Sequence, residues 1–529
     1  MPSHVTGSTD FPHCGKLPDM AQETELKLAL FTPDLPRLLA HPLLAAQGPQ
    51  RQRLLNTYFD TPDLVLMRQR IAVRERREGR RTLLTVKTAG ASAGGLSRRG
   101  EWEGPTQPGE LDFATLVDDA ALATALTGLR HRLVPLFRTD FTRRSWQLKH
   151  GGAHIEVALD EGHITTRPAS ARPGDTRREP ILELELELKS GPVDALLDLA
   201  HTLALGPQGW SAQGIWLYPS DRSKAERGLA LFQGQPPGPL REAPLQLPAD
   251  GDPVQAFCAT ALACLAQLQG NVLALLQTPE TGPLPDPEYI HQARVALRRL
   301  RTGLRLFRPF LPRRFSAHWS AHWQAATGQL GDARNWDVLA TTWLPQLLGD
   351  GPQTAALTRW VEQMRREANQ RARQALTDPA FALGQLAFVR TLLALQGQAP
   401  RVGQPALTDW AHTTLQQRHR SLQRAVRLAE RQAATERHEL RIELKKLRYA
   451  QSFLSSLLPR QRRGGASLKR AQELLGTLND FHTAELLLAG APAPAGQKVI
   501  GRLQELTAVH LADLPAVQRQ LLRSIAAWN

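Results

Sequence analysis

Cysteine is scarce in this chain of 529 residues. Its three cysteines, Cys14, Cys258 and Cys264, are too few for a disulfide framework, and they lack the paired spacing of a zinc site. This composition is typical of a protein from a reducing compartment. We therefore expect a cytoplasmic protein that is stabilised by hydrophobic cores rather than by disulfides.

Long apolar runs are also missing. The longest, around residues 259–276, is interrupted by Gln267, Gln269 and Asn271, so no stretch of the sequence qualifies as a membrane span. The first residues, MPSHVTGSTDFPHCGK, lack the apolar centre of a signal peptide. We expect no membrane partner.

Acidic residues are in short supply in only one half of the chain. The net charge is +15, from 65 Lys and Arg against 50 Asp and Glu. Residues 1–250 carry 30 basic and 30 acidic residues, whereas residues 251–529 carry 35 and 20, so the whole excess lies in the second half. The second half is therefore the one suited to attract a polyanion.

A proline-rich segment separates two kinds of pattern. The stretch GQPPGPLREAPLQLPADGDP contains six prolines, which no helix or central strand can accommodate. Before it, segments such as TELKLAL, HIEVALD and ILELELELK alternate apolar and polar residues, which predicts antiparallel strands. After it, apolar residues recur every three or four positions, which predicts an all-helical half.

The predicted strands carry charged residues on one face. Glu23, Glu25 and Lys27 share a face because alternate residues of a strand point the same way, while Leu26 and Leu28 point to the other side. A solvated sheet face is the usual explanation for such a pattern. Here several strands share it, with acidic and basic residues sorted onto different strands. A closed barrel lined in this way needs ligands of both signs, such as a polyanion with a divalent metal ion.

The strand motifs make this half resemble the CYTH family, also called triphosphate tunnel metalloenzymes. The E-x-E-x-K signature stands in MAQETELKLAL, and further matches are NTYFDTPDLVLMRQRIAVRER, TLLTVKT, FRTDFTRRSW, IEVALDEG, LELELELKSG and SKAERGL. The resemblance implies an eight-stranded antiparallel β-tunnel with flanking helices. It also implies that the tunnel binds triphosphate with Mg²⁺ or Mn²⁺ and hydrolyses or otherwise uses it.

Carried over by position, the resemblance assigns roles to the charged residues. Lys27 would contact phosphate or assist the attacking water, as the catalytic residue. The metal would be held by an acidic set of Glu23, Glu25, Glu156, Asp160, Glu183, Glu185 and Glu187. The triphosphate would be held by Lys27, Arg74, Arg76, Lys87, Arg143 and Lys224, with Arg143 rather than Arg144 facing inward.

The helical half contains a duplication. The pattern H-x-x-R-[VI]-x-L-[RK]-[RK]-L-R begins at His291 and again at His438, and LGDARNWD from Leu330 has a counterpart in LGTLNDFH from Leu475. Helical spacing places basic residues of each copy on one stripe. With two residues before the second LG motif, the candidate anion-binding set is His291, Arg294, Arg298, Arg301, Arg305, His438, Arg441, Lys445, Arg448, Lys469 and Arg470.

A basic stripe is more often a solvated surface than a site, but here it recurs with both histidines. Arginine neighbours disfavour protonation of a histidine unless an anion binds. The duplicated pattern resembles the CHAD family over residues 255–525, which implies two four-helix units that bind polyphosphate. Asn335 stands where that family tends to place an acidic residue.

The sequence thus predicts a multi-domain α+β protein. Its expected parts are a disordered extension at 1–19 or a start at Met20, a CYTH domain at 20–232, a linker at 233–253 and a CHAD domain at 254–529. The leading hypothesis is an inorganic triphosphatase whose helical domain binds long-chain polyphosphate or docks on polyphosphate granules. The alternatives are a non-catalytic polyphosphate scaffold, an adenylyl cyclase, or a thiamine or nucleoside triphosphatase. We do not expect a nucleic-acid partner, because no aromatic residues stand between the basic positions.

Overall fold

The computed structural model describes residues 22–88, 90–166, 175–206, 214–235, 238–348, 352–398, 405–429, 434–457 and 465–526. The extension expected at residues 1–19 lies outside these ranges. The chain divides into two compact units, and each is considered by itself. The first, here called the tunnel unit, takes in the described residues up to Pro239 together with Thr377–Leu393. The second, the helical unit, takes in Leu240–Leu376 and the described residues from Ala394 onward.

Ten antiparallel strands build the tunnel unit. They are β1 (Gln22–Leu30), β2 (Gln50–Asp60), β3 (Ala72–Glu78), β4 (Arg81–Lys87), β5 (Ala91–Ala93), β6 (Leu96–Pro105), β7 (Val134–His150), β8 (Ala153–Thr166), β9 (Arg177–Ser190) and β10 (Leu217–Pro219). Their order is β10-β1-β9-β8-β7-β2-β3-β4-β6-β5, and β6 also pairs with β1. That last pairing closes eight of the strands into a barrel, which confirms the predicted eight-stranded tunnel.

The strand alternation places one face of β1 outward into a core and the other toward the barrel interior. Leu26 and Leu28 are fully buried, as the period of two predicts. The pairing of β1 with β9 sets Glu25 opposite Glu187 and Lys27 opposite Glu185. Adjacent strands therefore bring charged residues of the same parity together on the inner face.

Among the described residues before the proline-rich segment, the helices that flank the barrel are α1 (Leu35–Leu39), α2 (Pro42–Ala45), α3 (Val65–Arg68), α4 (Phe113–Leu116), α5 (Ala120–Leu129), α6 (Asp194–Leu205) and α7 (Lys224–Gln233). The first turn of α7 is fixed by a capping box in which Ser223 and Glu226 satisfy each other's backbone N–H groups. This cap fixes the start of the helix, and with it Lys224, its first residue.

The remaining described helices are α8 (Pro253–Gln277), α9 (Pro287–Leu306), α10 (Arg313–Gln329), α11 (Gly331–Val338), α12 (Leu344–Leu347), α13 (Pro352–Thr377), α14 (Pro379–Gln396), α15 (Leu407–Leu428), α16 (Ala434–Phe453), α17 (Ala466–Leu488) and α18 (Ala495–Ala526). Both ends of α16 lie 147 residues after the corresponding ends of α9, which is the offset of the duplicated sequence pattern. The same offset pairs α8 with α15 to within a few residues. The helical half therefore has the duplicated architecture that its sequence predicts.

Helix α14 follows the first repeat in sequence, yet most of it belongs to the tunnel unit. Phe381 of α14 stacks on Tyr218 of β10 with ring centroids 6.1 Å apart. Arg390 forms an ion pair with Asp198 of α6 at 2.8 Å. This helix is thus part of the packing around the barrel rather than of either helical repeat.

By length and hydropathy alone, α8 and α14 could each span a membrane, which the sequence analysis did not anticipate. In α8, 67% of the most apolar window is buried inside the helical unit, as is typical of a core helix. Two of its buried polar residues, Gln267 and Asn271, have partners there. The Gln267 amide donates to Gln292 at 2.9 Å, and the Asn271 amide donates to the Leu240 carbonyl at 2.8 Å.

Candidate active site and anion-binding cluster

The barrel encloses a cavity of about 630 Å³ whose walls are charged. Most of the tunnel residues that the sequence singles out line it. They are Glu23, Glu25, Lys27, Arg74, Arg76, Lys87, Arg143, Glu156, Glu185, Glu187 and Lys224. Asp160 and Glu183 lie directly behind this lining, where they contact Lys224. The closed barrel therefore brings all the predicted tunnel residues to one cavity.

Three carboxylates of β8 and β9 form the most buried acidic cluster. Each of Asp160, Glu183 and Glu185 offers an oxygen atom within 4.8 Å of the others. The ammonium group of Lys224 lies among them, 2.6 Å from Asp160, 2.5 Å from Glu183 and 3.1 Å from Glu185. Arg143 donates to Asp160 through both Nε and Nη2, each at 2.7 Å. Two cations thus compensate charges that burial would otherwise make costly.

The donor set of this cluster suits a hard divalent cation. Mg²⁺ and Mn²⁺ prefer carboxylate oxygens, and the oxygens of Asp160, Glu183 and Glu185 are close enough together for one ion to contact all three. Although burial favours the neutral form, Lys224 and Arg143 hold the pKa of Glu185 well below its ordinary value. Glu185 is therefore ionised near neutral pH, as a metal ligand would have to be.

A second acidic pair belongs to β1. The Glu23 carboxylate accepts from Lys87 at 2.9 Å and from Arg99 at 3.1 Å, and Arg99 also donates to Glu25. Lys27 lies 3.6 Å from Glu25 and 3.5 Å from Glu185, so its ammonium group bridges this pair and the β9 cluster. The β1 signature thus connects the two acidic groups.

The charge state of Lys27 limits what it can do. Burial alone would lower the pKa of its ammonium group, but Glu25, Glu185 and Glu183 outweigh that effect and raise the pKa. Lys27 is therefore a cation throughout the neutral range. In this state it can donate to a phosphate oxygen or orient a water molecule, but it has no free electron pair with which to accept a proton.

The third acidic group lies where the cavity is more open. Glu156 of β8 and Glu187 of β9 face each other in register, and Lys189 contacts both, at 3.6 and 2.6 Å. Burial raises the pKa of Glu187. The seven predicted metal ligands thus fall into three groups along one wall rather than a single cluster.

Cations of β3 and β4 form the opposite wall. Arg74 is buried and the side chain of Arg76 is 11% exposed. Partial burial lowers the pKa of Arg76 to about 10, assisted by the positive charge of Arg74. Arg74 lies 3.7 Å from Glu101 and 3.5 Å from Glu103. Lys87 contacts Glu101 at 2.8 Å. These cations are close enough together to clamp the several negative oxygens of a phosphate chain.

In the helical unit, basic side chains from both repeats meet. Burial lowers the pKa of His291 to about 3, assisted by the positive charges of Arg334, Arg298, Arg294 and Arg448. The charge of Arg298 on α9 also acts on Arg441 and Lys445 of α16. Residues of both histidine helices therefore contribute to one basic cluster.

The two histidines of the repeats are not equally enclosed. His291 is half-buried, whereas His438, Lys469 and Arg470 are exposed.

Family models match both halves of the chain. A family model described as CYTH domain matches residues 21–208, and one described as CHAD domain matches residues 259–489. The chain carries a CYTH domain followed by a CHAD domain. An "Inorganic triphosphatase" of Haemophilus influenzae is 34% identical over 223 residues, which is 41% of this chain. The match covers 56% of that relative, so the chain spans only about half of its length.

Solved structures of both kinds are similar to parts of the chain. The CHAD domain from the plant Ricinus communis is 29% identical, with 54% of this chain and 96% of that one covered and a TM-score of 0.47. A putative adenylyl cyclase from Hippeastrum, described as having a dominant triphosphatase activity, is 18% identical, with 40% and 96% covered and a TM-score of 0.29.

Sequence reasoning missed several residues of the CYTH cavity. Arg99, Glu101 and Glu103 of β6 all line it. Glu101 and Glu103 pair with the predicted clamps Lys87 and Arg74, and Arg99 pairs with the predicted metal ligands Glu23 and Glu25. The segment RRGEWEG shows the same alternation as the other strands, so parity could have identified them. Arg227 of α7 contacts Glu183 at 2.8 Å, and the sequence offered no periodic sign of this contact.

The basic residues His291, Arg298, Arg441, Lys445 and Arg448 are here called the CHAD cluster. The cluster also contains two residues that the sequence did not assign. Arg334 of α11 acts on His291, and Asp480 of α17 acts on Arg441 and Lys445. Burial raises the pKa of Asp480. Asp480 is the counterpart of Asn335 at the offset of 145, so the LG motifs supply one acidic and one basic side chain to the cluster.

Proposed function

We propose that the CYTH domain hydrolyses inorganic triphosphate to diphosphate and phosphate with Mg²⁺ or Mn²⁺, and that the CHAD domain binds polyphosphate. The first part rests on one observation, which is that an acidic wall and a basic wall face each other inside one cavity. Asp160, Glu183 and Glu185 present clustered carboxylates, while Arg74 and Arg76 present cations. A triphosphate with a bound metal ion matches both.

The chemistry asks little of the protein beyond position and charge. A divalent ion on the carboxylates would supply a Lewis acid for the phosphoryl oxygens. The guanidinium groups of Arg74, Arg76 and Arg143 would bind the equatorial and leaving oxygens, where negative charge develops. Lys27, as a fixed cation between Glu25 and Glu185, would orient the attacking water and the phosphate it attacks.

The related Haemophilus influenzae protein supports this choice of substrate, because it is named an inorganic triphosphatase and is 34% identical over the matched region. Among the described residues that line the cavity, Tyr58 and Phe141 are the aromatic ones, and Lys224 lies 5.1 Å from the Phe141 ring. A buried cation over that ring leaves little room for a nucleobase to stack. The cavity therefore favours a bare phosphate chain over a nucleotide.

Support for polyphosphate binding comes from the excess of positive charge in the CHAD cluster. Lys445 is partly buried among Arg441, Arg298 and Arg448, with Asp480 as the acidic neighbour. Burial and these arginines lower its pKa to about 7. Side chains that repel one another in this way are stabilised by an anion placed between them. Such a domain would hold the cytoplasmic enzyme on polyphosphate granules.

A substrate panel with the full chain tests the proposal. We expect phosphate release from tripolyphosphate that requires Mg²⁺ or Mn²⁺ and exceeds release from ATP or thiamine triphosphate. Long-chain polyphosphate should bind even when EDTA stops turnover. Absence of phosphate release from every substrate would leave the chain as a binding scaffold, and preference for ATP would contradict the assignment to inorganic triphosphate.

A further inference from the structure

A second basic surface lies at the C-terminal end of α9, beyond the CHAD cluster. It is a groove of about 820 Å³ between the end of α9, the start of α10 and the middle of α15. Four arginines line it, Arg305, Arg308, Arg313 and Arg418, with Trp410 beside them. None of its lining residues is acidic.

The four arginines have no ion pair or side-chain hydrogen bond within the part of the chain that the structure describes. The tunnel arginines Arg74, Arg76, Arg99 and Arg143, by contrast, are paired with carboxylates. Arg305 and Arg418 come from different repeats and line the same groove. Burial lowers the pKa of Arg305, assisted by the positive charge of Arg418. The groove therefore concentrates positive charge that the protein itself does not neutralise.

The duplication shows that this charge is not a consequence of the fold. At the offset of 147, Arg305 and Arg308 correspond to Ser452 and Ser455 at the end of α16. Trp410 and Arg418 of α15 correspond in the same way to Ala263 and Asn271 of α8. Arg313, in contrast, corresponds to Arg460. Three of the four arginines and the tryptophan are therefore specific to one repeat, and the common sequence pattern does not require them.

The groove continues the basic stripe of α9. Arg298 belongs to the CHAD cluster and Arg305 to the groove, and seven residues of helix separate them by about 10 Å along the axis. Arg301 lies between them and donates to Gln324 at 2.9 Å. An extended polyanion lying along α9 would thus meet the cluster first and the groove next.

The chemistry of the groove favours an inorganic phosphate chain over a nucleic acid. Trp410 is the single aromatic residue in the described lining, and its ring packs against Phe307 and Phe310 at 4.8 and 5.2 Å. Single-stranded nucleic acids are held by several aromatic rings that stack on successive bases. Here guanidinium groups dominate, and these recognise phosphate oxygens.

We propose that this groove is a second subsite for polyphosphate, which holds the part of a long chain that extends beyond the CHAD cluster. The proposal rests on the proposed polyphosphate binding and adds a selection for chain length. A chain that reaches both sites gains contacts that a short one cannot make. Tripolyphosphate, held in the cluster, gains nothing from the groove.

Titration calorimetry of the full chain with tripolyphosphate and with long-chain polyphosphate, in EDTA, tests this. Because the tunnel is the same in every variant, differences between variants report on the helical unit. The groove variant is Arg305→Gln with Arg418→Gln. The matched control is Arg420→Gln with Arg427→Gln, which removes two exposed arginines of the same helix α15 outside the groove. A third variant, Arg298→Gln with Arg441→Gln, disrupts the cluster.

The groove variant should bind long-chain polyphosphate about tenfold or more weakly and tripolyphosphate unchanged, while the control stays within about twofold for both. Arg305→Lys with Arg418→Lys should recover most of the affinity, which would show that charge rather than misfolding is responsible. Equal losses in the groove and control variants would overturn the subsite. A cluster variant that binds both ligands normally would instead overturn the proposed role of the CHAD cluster. A wild-type chain that binds neither ligand would overturn both the cluster and the groove as polyphosphate sites.

Discussion

The ammonium group of Lys224 lies 2.6 Å from the carboxylate of Asp160, whose side chain is completely shielded from solvent. Lys224 also contacts Glu183 and Glu185, so one cation occupies the position between three carboxylates. A divalent metal ion would use the same oxygens. Lys224 therefore neutralises the site when no metal ion is bound and must share or give up these contacts when one binds.

Replacement of Lys224 should make the stability of the protein depend on metal. Lys224→Gln leaves buried carboxylates with one cation fewer, and removal of one partner from a buried ion pair typically costs about 3 kcal/mol or more. A bound Mn²⁺ would restore the charge balance. We expect a lower melting temperature in EDTA and a larger upward shift on addition of Mn²⁺ than in the wild type.

The control for this experiment is Lys189→Gln, which removes a half-exposed lysine of the same cavity. Its ion pairs are screened by water, so its loss should change stability by less than about 1 kcal/mol. Equal shifts on Mn²⁺ addition in the wild type and in Lys224→Gln would contradict metal binding at this cluster.

Glu25→Gln should abolish turnover while leaving polyphosphate binding nearly intact. Glu25 accepts from Arg99 and Ser97 and lies 3.6 Å from Lys27, so its charge holds the cations that would contact the substrate. We expect kcat to fall by about 10² or more, as when a metal ligand or charged positioning group is lost. Phosphate release measures kcat, and calorimetry with polyphosphate measures the binding that should survive.

Glu161→Gln is the matched control, because Glu161 lies on β8 with its side chain exposed and pairs with Arg144 outside the cavity. It should turn over tripolyphosphate at the wild-type rate. If Glu25→Gln kept the wild-type kcat, Glu25 of β1 would have no part in the proposed mechanism.

Parity made the interior of the tunnel predictable. A strand has two faces, so Arg143 or Arg144 could be inside but not both, and the structure places Arg143 at Asp160 and Arg144 at exposed Glu161. The duplication likewise made the helical half predictable, since a repeated stripe fixes both helices and their offset.

Partners on neighbouring strands were not predictable in this way. Strand order and register determine that Lys87 faces Glu101 and that Lys27 lies opposite Glu185, and neither can be derived from the alternation within one strand. The same reason hid Arg227, because a helix packed over the barrel end contributes a side chain at no regular spacing from the strands. These contacts form between separate elements, and the periodicity within one element carries no information about them.

Asp60 should prove structural rather than catalytic. Its two carboxylate oxygens accept from the backbone N–H groups of Thr61, Leu66 and Met67, which holds the turn and helix α3 that lead into β3. Asp60→Ala would leave these buried donors without an acceptor and should lower the free energy of unfolding by about 2 kcal/mol. Urea unfolding measures this, with Asp63→Ala as an exposed control expected to cost less than about 1 kcal/mol. A loss of kcat without a loss of stability would contradict this assignment.

Polyphosphate binding should weaken as pH rises above 7, because of Lys445. Burial and its neighbours Arg441, Arg298 and Arg448 lower its pKa to about 7, so in the free protein it loses its proton well below the ordinary value of 10.5. A polyanion favours the charged form and raises the pKa again, so binding takes up a proton between pH 7 and the new pKa. Affinity should fall with pH in that window, by at most about tenfold per unit for one proton.

Calorimetry in buffers of different ionisation enthalpy measures the proton uptake directly. Lys445→Arg carries a charge that does not titrate in this range and should bind with an affinity that stays nearly constant from pH 7 to 9. Lys446→Arg is the control, because Lys446 forms an ion pair with Glu443 at 2.6 Å and should leave the dependence unchanged. Asp480 and His291 also face the cluster, but the pKa of His291 is about 3 and that of Asp480 rises from an acidic starting value. A proton uptake that survives in Lys445→Arg would assign the effect to one of these two groups and contradict the role of Lys445.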